Sequence, residues 1–151
     1  MKIYLTTLLL LGLFIFSSAE IKAQQTTPPS RVNVKFNAKY PKFADKASWQ
    51  QTSDGYTATF NDKGRQTVSR YTEEGSWLGT TTKIQKKDWE PTMRQYMEQS
   101  HPGYKYLQGY RYEDADGRRY QIDVEDKSGG RYRIDFDQSG SFINEGPIEG
   151  N

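Results

Sequence analysis

The sequence predicts an α+β fold in which one unit, a helix followed by about four antiparallel strands, is written twice. Three observations lead there. From Tyr120 to Glu125 and again from Arg131 to Phe136, apolar side chains at 120, 122, 124 and at 132, 134, 136 alternate with charged or polar ones, the period of a half-buried strand. The same grammar occurs earlier, in Tyr56 to Phe60, a turn at Asn61 to Gly64, Gln66 to Tyr71 and Glu74 to Leu78, so that Tyr71 matches Phe136, Gly75 matches Gly140 and Trp77 matches Phe142. Each set of strands follows an apolar stripe at helical spacing that runs into a proline, Pro41 in one case and Pro102 in the other.

In chain order, Met1-Lys2 and the apolar stretch Ile3 to Phe16, followed by small residues, read as a secretory signal peptide; the run is too short for a comfortable membrane span. Cleavage is expected after Ala23, with Ala19 as the second choice, which makes residues 1–23 the signal and residues 24–30, with Pro28-Pro29, a linker. Residues 31–84 then form the first unit, residues 85–143 the second and residues 144–151 a flexible tail. In the first unit Ser30 is expected to cap a helix whose Val32, Phe36 and Tyr40 share one face. Pro41 stops it, a strand with Trp49 facing the core follows, and Ser53-Asp54-Gly55 turns into the strand at Tyr56. The strand after Trp77 is expected to continue through Thr80-Thr81-Thr82-Lys83-Ile84.

In the second unit Asp88 is expected to cap a helix with Pro91 in its first turn and Trp89, Met93, Tyr96 and Met97 as its buried stripe. Phe36 and Met97 stand five residues before their prolines, and Trp49 and Tyr110 eight residues after them. Tyr104 to Tyr112, a turn at Asp114 to Gly117 and the hairpin of residues 120–136 complete the unit. The hairpin's charged face should set Asp123 and Glu125 against Arg131 and Arg133.

Composition bounds what the chain does. Only 34% of its residues are hydrophobic, so eleven Tyr, seven Phe and three Trp must carry the interior. The net charge is +2, and loss of Lys2, Lys22 and Glu20 with the signal lowers it to +1, which offers no electrostatic case for nucleic acid. The absence of cysteine excludes disulfides, thiol catalysis, cysteine-based zinc sites, iron–sulfur clusters and a cysteine-linked lipid anchor.

The search for chemistry returns little. His101, the only histidine, stands beside a helix-ending proline and reads as a partner of the last helical carbonyls, without the second group a triad or a metal site needs. Asp114-Ala115-Asp116-Gly117 resembles the start of a calcium loop, but its twelfth position, Glu125, already lies on a strand, and turn chemistry accounts for Asp-Gly. Asp123 and Asp135 form a carboxylate pair in a pattern that a solvated sheet face produces anyway. Tyr110 and Tyr112 fall with the other aromatics on the core phase, which leaves Arg70, Arg111, Gln121, Asp123, Arg133 and Asp135 on the helix-free face as the candidate partner-binding residues.

The order Lys39-Tyr40-Pro41, Ala44 to Trp49, Asp54-Gly55-Tyr56 and Glu74 to Leu78, followed by a second round at His101-Pro102-Gly103-Tyr104, Asp116 to Tyr120 and Phe136 to Gly140, resembles the PepSY-like, β-lactamase-inhibitor-like family of exported Bacteroidetes proteins. The resemblance runs from about Val32 to Ile143. It implies two helix-plus-four-strand units whose strands form one continuous antiparallel sheet with the helices on one face, a fold shared with an inhibitor protein that clamps an enzyme against its concave sheet. It carries over no catalytic or ligand-binding residue. His101 stands where the family pattern has tyrosine. The expectation is therefore an exported, periplasmic or secreted non-enzymatic binding protein, without a cofactor or metal and with no membrane attachment after signal cleavage. Its expected partner is a protein or peptide of the cell envelope, such as a peptidase it inhibits or regulates. The alternative is a small-ligand, peptide or glycan carrier using aromatics between the two units; a hydrolase using surface carboxylates is a third class.

Overall fold

The computed structural model describes residues 26–148. The expected signal peptide lies outside them. The first helix, α1, spans Ser30–Lys39 and leads into the strands β1 (Ser48–Thr52), β2 (Gly55–Asp62), β3 (Arg65–Tyr71) and β4 (Trp77–Lys83). A second helix, α2 (Pro91–Ser100), is followed by β5 (Lys105–Asp114), β6 (Gly117–Glu125), β7 (Arg131–Phe136) and β8 (Phe142–Pro147). Neighbouring strands pair antiparallel in strict chain order, giving one eight-stranded meander. The pairing of β4 with β5, from Thr80 opposite Glu113 to Lys83 opposite Tyr110, makes the sheet continuous across the chain's midpoint.

Both helices end as the prolines dictate. The Tyr40 amide bonds the Phe36 carbonyl and the His101 amide bonds the Met97 carbonyl before the chain leaves the helix. Their starts differ from the expected caps. Ser30 is already helical, and Pro29 stands at the cap, its carbonyl accepting from the amides of Val32 and Asn33. Asp88 belongs to a short 3-10 turn, Lys86–Asp88, where its carboxylate bonds the Gln85 amide in a capping box. Pro91 keeps Glu90 extended, so α2 cannot begin earlier, and Trp89 is buried from an extended connection instead of from the helix.

The sheet buries one face under the helices, in two clusters. Val32 and Phe36 of α1 pack on Trp49, Ala58, Phe60 and Tyr71. Met93 and Met97 of α2, with Trp89, pack on Ile84, Tyr120, Ile122, Val124, Ile134 and Phe136. Between the clusters the same face is hydroxyl-rich: buried Thr80 Oγ1 lies 2.6 Å from the Tyr40 hydroxyl, 3.0 Å from Ser69 Oγ and 3.1 Å from Trp77 Nε1. A polar cleft of about 350 Å³ beside it, bordered by Asp62, Arg65, Thr82, Asp88 and Arg111, occupies the boundary where aromatics were expected to hold a ligand.

Two glycines allow each helix to dock on a turn. Gly75 and Gly140 have φ of +92° and +80°, and a Cβ at either would stand 2.8 Å or less from the N-terminal turn of α1 or α2, from the Arg31 carbonyl in one case and from Thr92 Oγ1 in the other. The same turns bond those helices, Arg31 Nε donating to the Glu73 carbonyl and the Thr92 hydroxyl to the Ser139 carbonyl. Residues 144–147, expected as tail, are strand: Asn144 and Glu145 pair with Asp135 and Ile134.

The helix-free face as a candidate protein-binding surface

In an antiparallel ladder directly opposed residues share a face, so the registers assign every side chain to one side of the sheet. Asp123 stands opposite Gln108 on one side and Arg133 on the other, and Gln121 stands opposite Tyr110 and Asp135. All six turn away from the helices, because Ile122 and Val124 between them are buried in the α2 cluster. The structure thus brings together four of the sequence-derived site residues, Gln121, Asp123, Arg133 and Asp135.

It removes Arg111 from them. Arg111 pairs with Thr82 and Tyr120, both buried on the helix side, and Tyr110 and Tyr112 occupy the free face in its place. The cause is a bulge between Tyr106 and Gln108, where one extra residue on β5 inverts the alternation for the rest of the strand. Gly109 makes room for it: a Cβ there would lie 3.0 Å from both Ile122 Cγ2 and the Tyr106 hydroxyl, and Tyr106 covers the space beneath α2. The structural counterpart of Trp49, which pairs with Ala58, is therefore Gly109, which pairs with Ile122, and not Tyr110. A sequence signal for this exists. Counting back from the two-residue turn Ala115-Asp116 sets Tyr112 against Arg119 and Tyr110 against Gln121, which puts both rings on the charged side. Arg70 is on the free face but remote, opposite Thr57 and Gly79. Gly79 abuts Glu113 and Asp114, some six residues and about 20 Å along β5 from Gln108.

The assembled groups form a hydrogen-bonded network. Arg133 Nε donates to Asp123 Oδ1 at 2.8 Å and a terminal guanidinium nitrogen donates to Oδ2 at 3.0 Å, while Gln108 Nε2 donates to Oδ2 at 2.7 Å. The Tyr110 hydroxyl reaches Gln108 Oε1 at 3.3 Å and the Tyr112 hydroxyl reaches Gln121 Oε1 at 3.2 Å. Gln121 Nε2 then donates to Asp135 at 2.9 Å, and Asn144 to its other oxygen at 3.4 Å. Asp123 is only 4% exposed, although it faces away from the core, whereas the Arg133 side chain is 45% exposed. Burial pushes the Asp123 carboxyl up, but the bonds from Arg133 and Gln108 more than offset it and hold the group below the usual carboxylate range. Burial likewise pushes the Tyr112 phenol up.

Around this centre lie further cross-strand pairs, Lys105 and Arg131 to Glu125 and Arg119 to Asp114, with the Arg119 guanidinium 5.7 Å from the Tyr112 ring centre. Asp114 also accepts the Asp116 amide at 3.0 Å, so the turn that resembled a calcium loop uses its carboxylate internally. Among the described residues no three His, Asp or Glu side chains converge as a metal-ligand set. Chemically the surface offers an anchored guanidinium, two hydroxyl-bearing rings and an amide-held carboxylate, all on strands.

No protein-family model and no curated protein matches this chain. Solved structures do match it in shape. A DUF2874 family protein from Bacteroides ovatus superposes with a TM-score of 0.67 at 21% identity, over 81% of this chain and 89% of that one. A BLIP-like protein from Bacteroides fragilis gives 0.67 at 19%, over 83% and 91%. A protein provisionally assigned to the periplasm, from Bacteroides eggerthii, gives 0.68 at 18%, over 82% and 91%. The chain therefore has the fold of a BLIP-like protein, an eight-stranded antiparallel sheet with two helices. Among the described residues no helix is long and apolar enough to cross a membrane.

Proposed function

We propose that this chain is an exported, non-enzymatic binding protein, PepSY-like and built from a repeated helix-plus-meander unit. It holds, and thereby inhibits or regulates, a periplasmic or cell-surface protein such as a peptidase on the helix-free face of β5 to β8. The observation that carries the reading is the locked state of that face. Asp123 is buried and fully bonded on a side of the sheet that no helix covers, and Arg133, Tyr110 and Tyr112 are oriented by their bonds before any partner arrives. Side chains already held in one geometry lose little rotamer entropy on binding, and Arg and Tyr are common energetic anchors of interfaces. The BLIP-like fold and the periplasmic assignment of a structural neighbour support the cellular setting. Both site carboxylates are taken up by Arg, Gln and Asn donors, an arrangement that serves presentation of a surface better than proton transfer.

The test is affinity capture from an envelope extract of the producing bacterium. Recovery of a specific partner should be lost with Arg133→Glu and reduced with Tyr112→Ala. It should be retained with Arg111→Glu, which lies on the helix side. Equal recovery with Arg133→Glu and the unaltered protein would remove this face from consideration.

A further inference from the structure

The two hydrophobic clusters share no residue. The buried partners of α1 come from β1, β2 and β3, and those of α2 from β6 and β7 together with Ile84 just past β4; β4 and β5 add only the half-buried Trp77 and Tyr106. The β4·β5 junction is therefore bridged by neither helix. It is also the shortest ladder of the sheet, Thr80 to Lys83 against Tyr110 to Glu113, extended by one bond from the Ile84 amide to the Gly109 carbonyl. Two clefts flank it and share Arg65 and Ile84 in their walls, the polar one of about 350 Å³ already described and one of about 250 Å³ that reaches Gln85, Tyr106 and Gln108. A close-packed core moves as a unit, whereas a boundary floored by hydroxyls and flanked by open space resists bending less.

One strong contact spans the clefts. Arg65, at the start of β3, donates from Nε to Asp88 Oδ2 at 2.7 Å and from a terminal nitrogen to Oδ1, a two-pronged ion pair. Asp88 belongs to the turn ahead of α2, where it also accepts the Gln85 amide. The two side chains are only 22% and 18% exposed, and the bond from Arg65 holds the Asp88 carboxyl below the usual carboxylate range. The other ion pair across the junction, Lys39 with Glu113 at 3.8 Å, is single-pronged and more exposed, the kind that contributes little. We propose that β4·β5 is a hinge between two rigid halves and that the Arg65–Asp88 ion pair is the latch that sets its angle. The hinge line crosses the free face at Tyr110 and Tyr112, which stand opposite Lys83 and Thr81, so its angle sets the curvature of that face whether or not a protein binds there. A partner engaging both halves would work against one ion pair and not against a packed core.

The chain has no cysteine, so spin labels can be attached in pairs at introduced ones and their separation measured by pulsed electron paramagnetic resonance. Ala38→Cys with Gln95→Cys, exposed positions on α1 and α2, reads the distance between the halves. Ala38→Cys with Gln50→Cys, and Gln95→Cys with Lys127→Cys, stay within one half each and also use exposed positions. Asp88→Asn should shift or widen the distribution between the halves by about 2 Å or more and leave both within-half distributions unchanged. Arg65→Lys keeps the charge but loses the fork; it should act in the same direction, and it carries the test if Asp88→Asn does not fold. Lys39→Gln should change none of the three. A distribution between the halves unmoved by loss of the latch overturns the hinge, as does equal widening within a half; a response to Lys39→Gln as large as that to Asp88→Asn overturns the latch.

Discussion

Where β2 meets β3, Thr59 stands opposite Val68; at the corresponding row of the second half, Asp123 stands opposite Arg133. The next row on the same side repeats the contrast, Thr57 and Arg70 in one half and Gln121 and Asp135 in the other. On the helix side the two halves diverge far less. Val32 and Phe36 correspond to Met93 and Met97, Ala58 to Ile122, Tyr71 to Phe136, and the bulges before Tyr71 and before Phe136 fall in the same place. Even the helix ends correspond. Tyr40 reaches Thr80 and His101 reaches Glu145, on matching positions of β4 and β8. A shared frame with one plain and one elaborated outer surface indicates that packing constrains the inner rows, while the outer rows are free to diverge.

The comparison can be broken most forcefully in the two cores. Phe36→Ala should destabilise the protein by about 3 to 5 kcal/mol and Met97→Ala by about 2 to 5 kcal/mol, read from urea denaturation midpoints. A loss under about 1 kcal/mol at either position would mean that its helix is not part of the cooperative fold. The docking glycines come next. Gly140→Ala meets Thr92 and Met93 at positive φ and should cost about 2 kcal/mol or more, whereas Gly64→Ala, also at positive φ but in open space, should cost about 1 kcal/mol.

Asp123→Asn should cost about 1 to 3 kcal/mol at neutral pH, against a few tenths for its counterpart Thr59→Ala. Its carboxyl is held below the usual range, so its contribution is complete above the unfolded value near 4 and is lost as pH falls through the lower folded value. The stability gap between the two proteins should therefore narrow on acidification below about pH 4; a gap unchanged there would show that the ion pair contributes nothing. At the alkaline end each half holds one phenol that burial pushes up to about 12, Tyr71 and Tyr106. Their contribution is complete below the unfolded value near 10 and is lost as pH rises through the folded one, so stability should decline between about pH 10 and 12 and spectroscopic titration should find these phenols ionising late. The smallest effect is expected from exchanging the helix-end pairs: His101→Tyr with Glu145→Thr rebuilds the Tyr40 and Thr80 arrangement and should change stability by less than about 1 kcal/mol, while either single change should cost more than the pair.

Much of this was legible without coordinates. The alternation at 120–124 and 132–136 fixed which rings face inward, and the charged pairs Asp123 with Arg133 and Glu125 with Arg131 follow from the hairpin register. The buried Val32 and Phe36 of α1 and the helix ends before Pro41 and Pro102 agree with the sequence pattern. Arg111, Tyr110 and Tyr112 lie on the faces opposite to those that unbroken alternation through β5 predicts, because of the bulge between Tyr106 and Gln108. Trp89 departs from its expected place on the helix for a related reason: Pro91 confines α2 to its own C-terminal side, so the helical spacing does not extend back to residue 89.

Local chemistry alone settled the number of strands that close into hairpins, the residues each turn needs and the side of the ladder on which the rings of β6 and β7 lie, because those depend on neighbours within a few residues. The bulge in β5, the burial of Asp123 beneath Arg133 and Gln108, and the cavity beneath α2 were decided by tertiary packing. Each depends on how much room the opposing element leaves, and that room is a property of chain segments far apart in sequence.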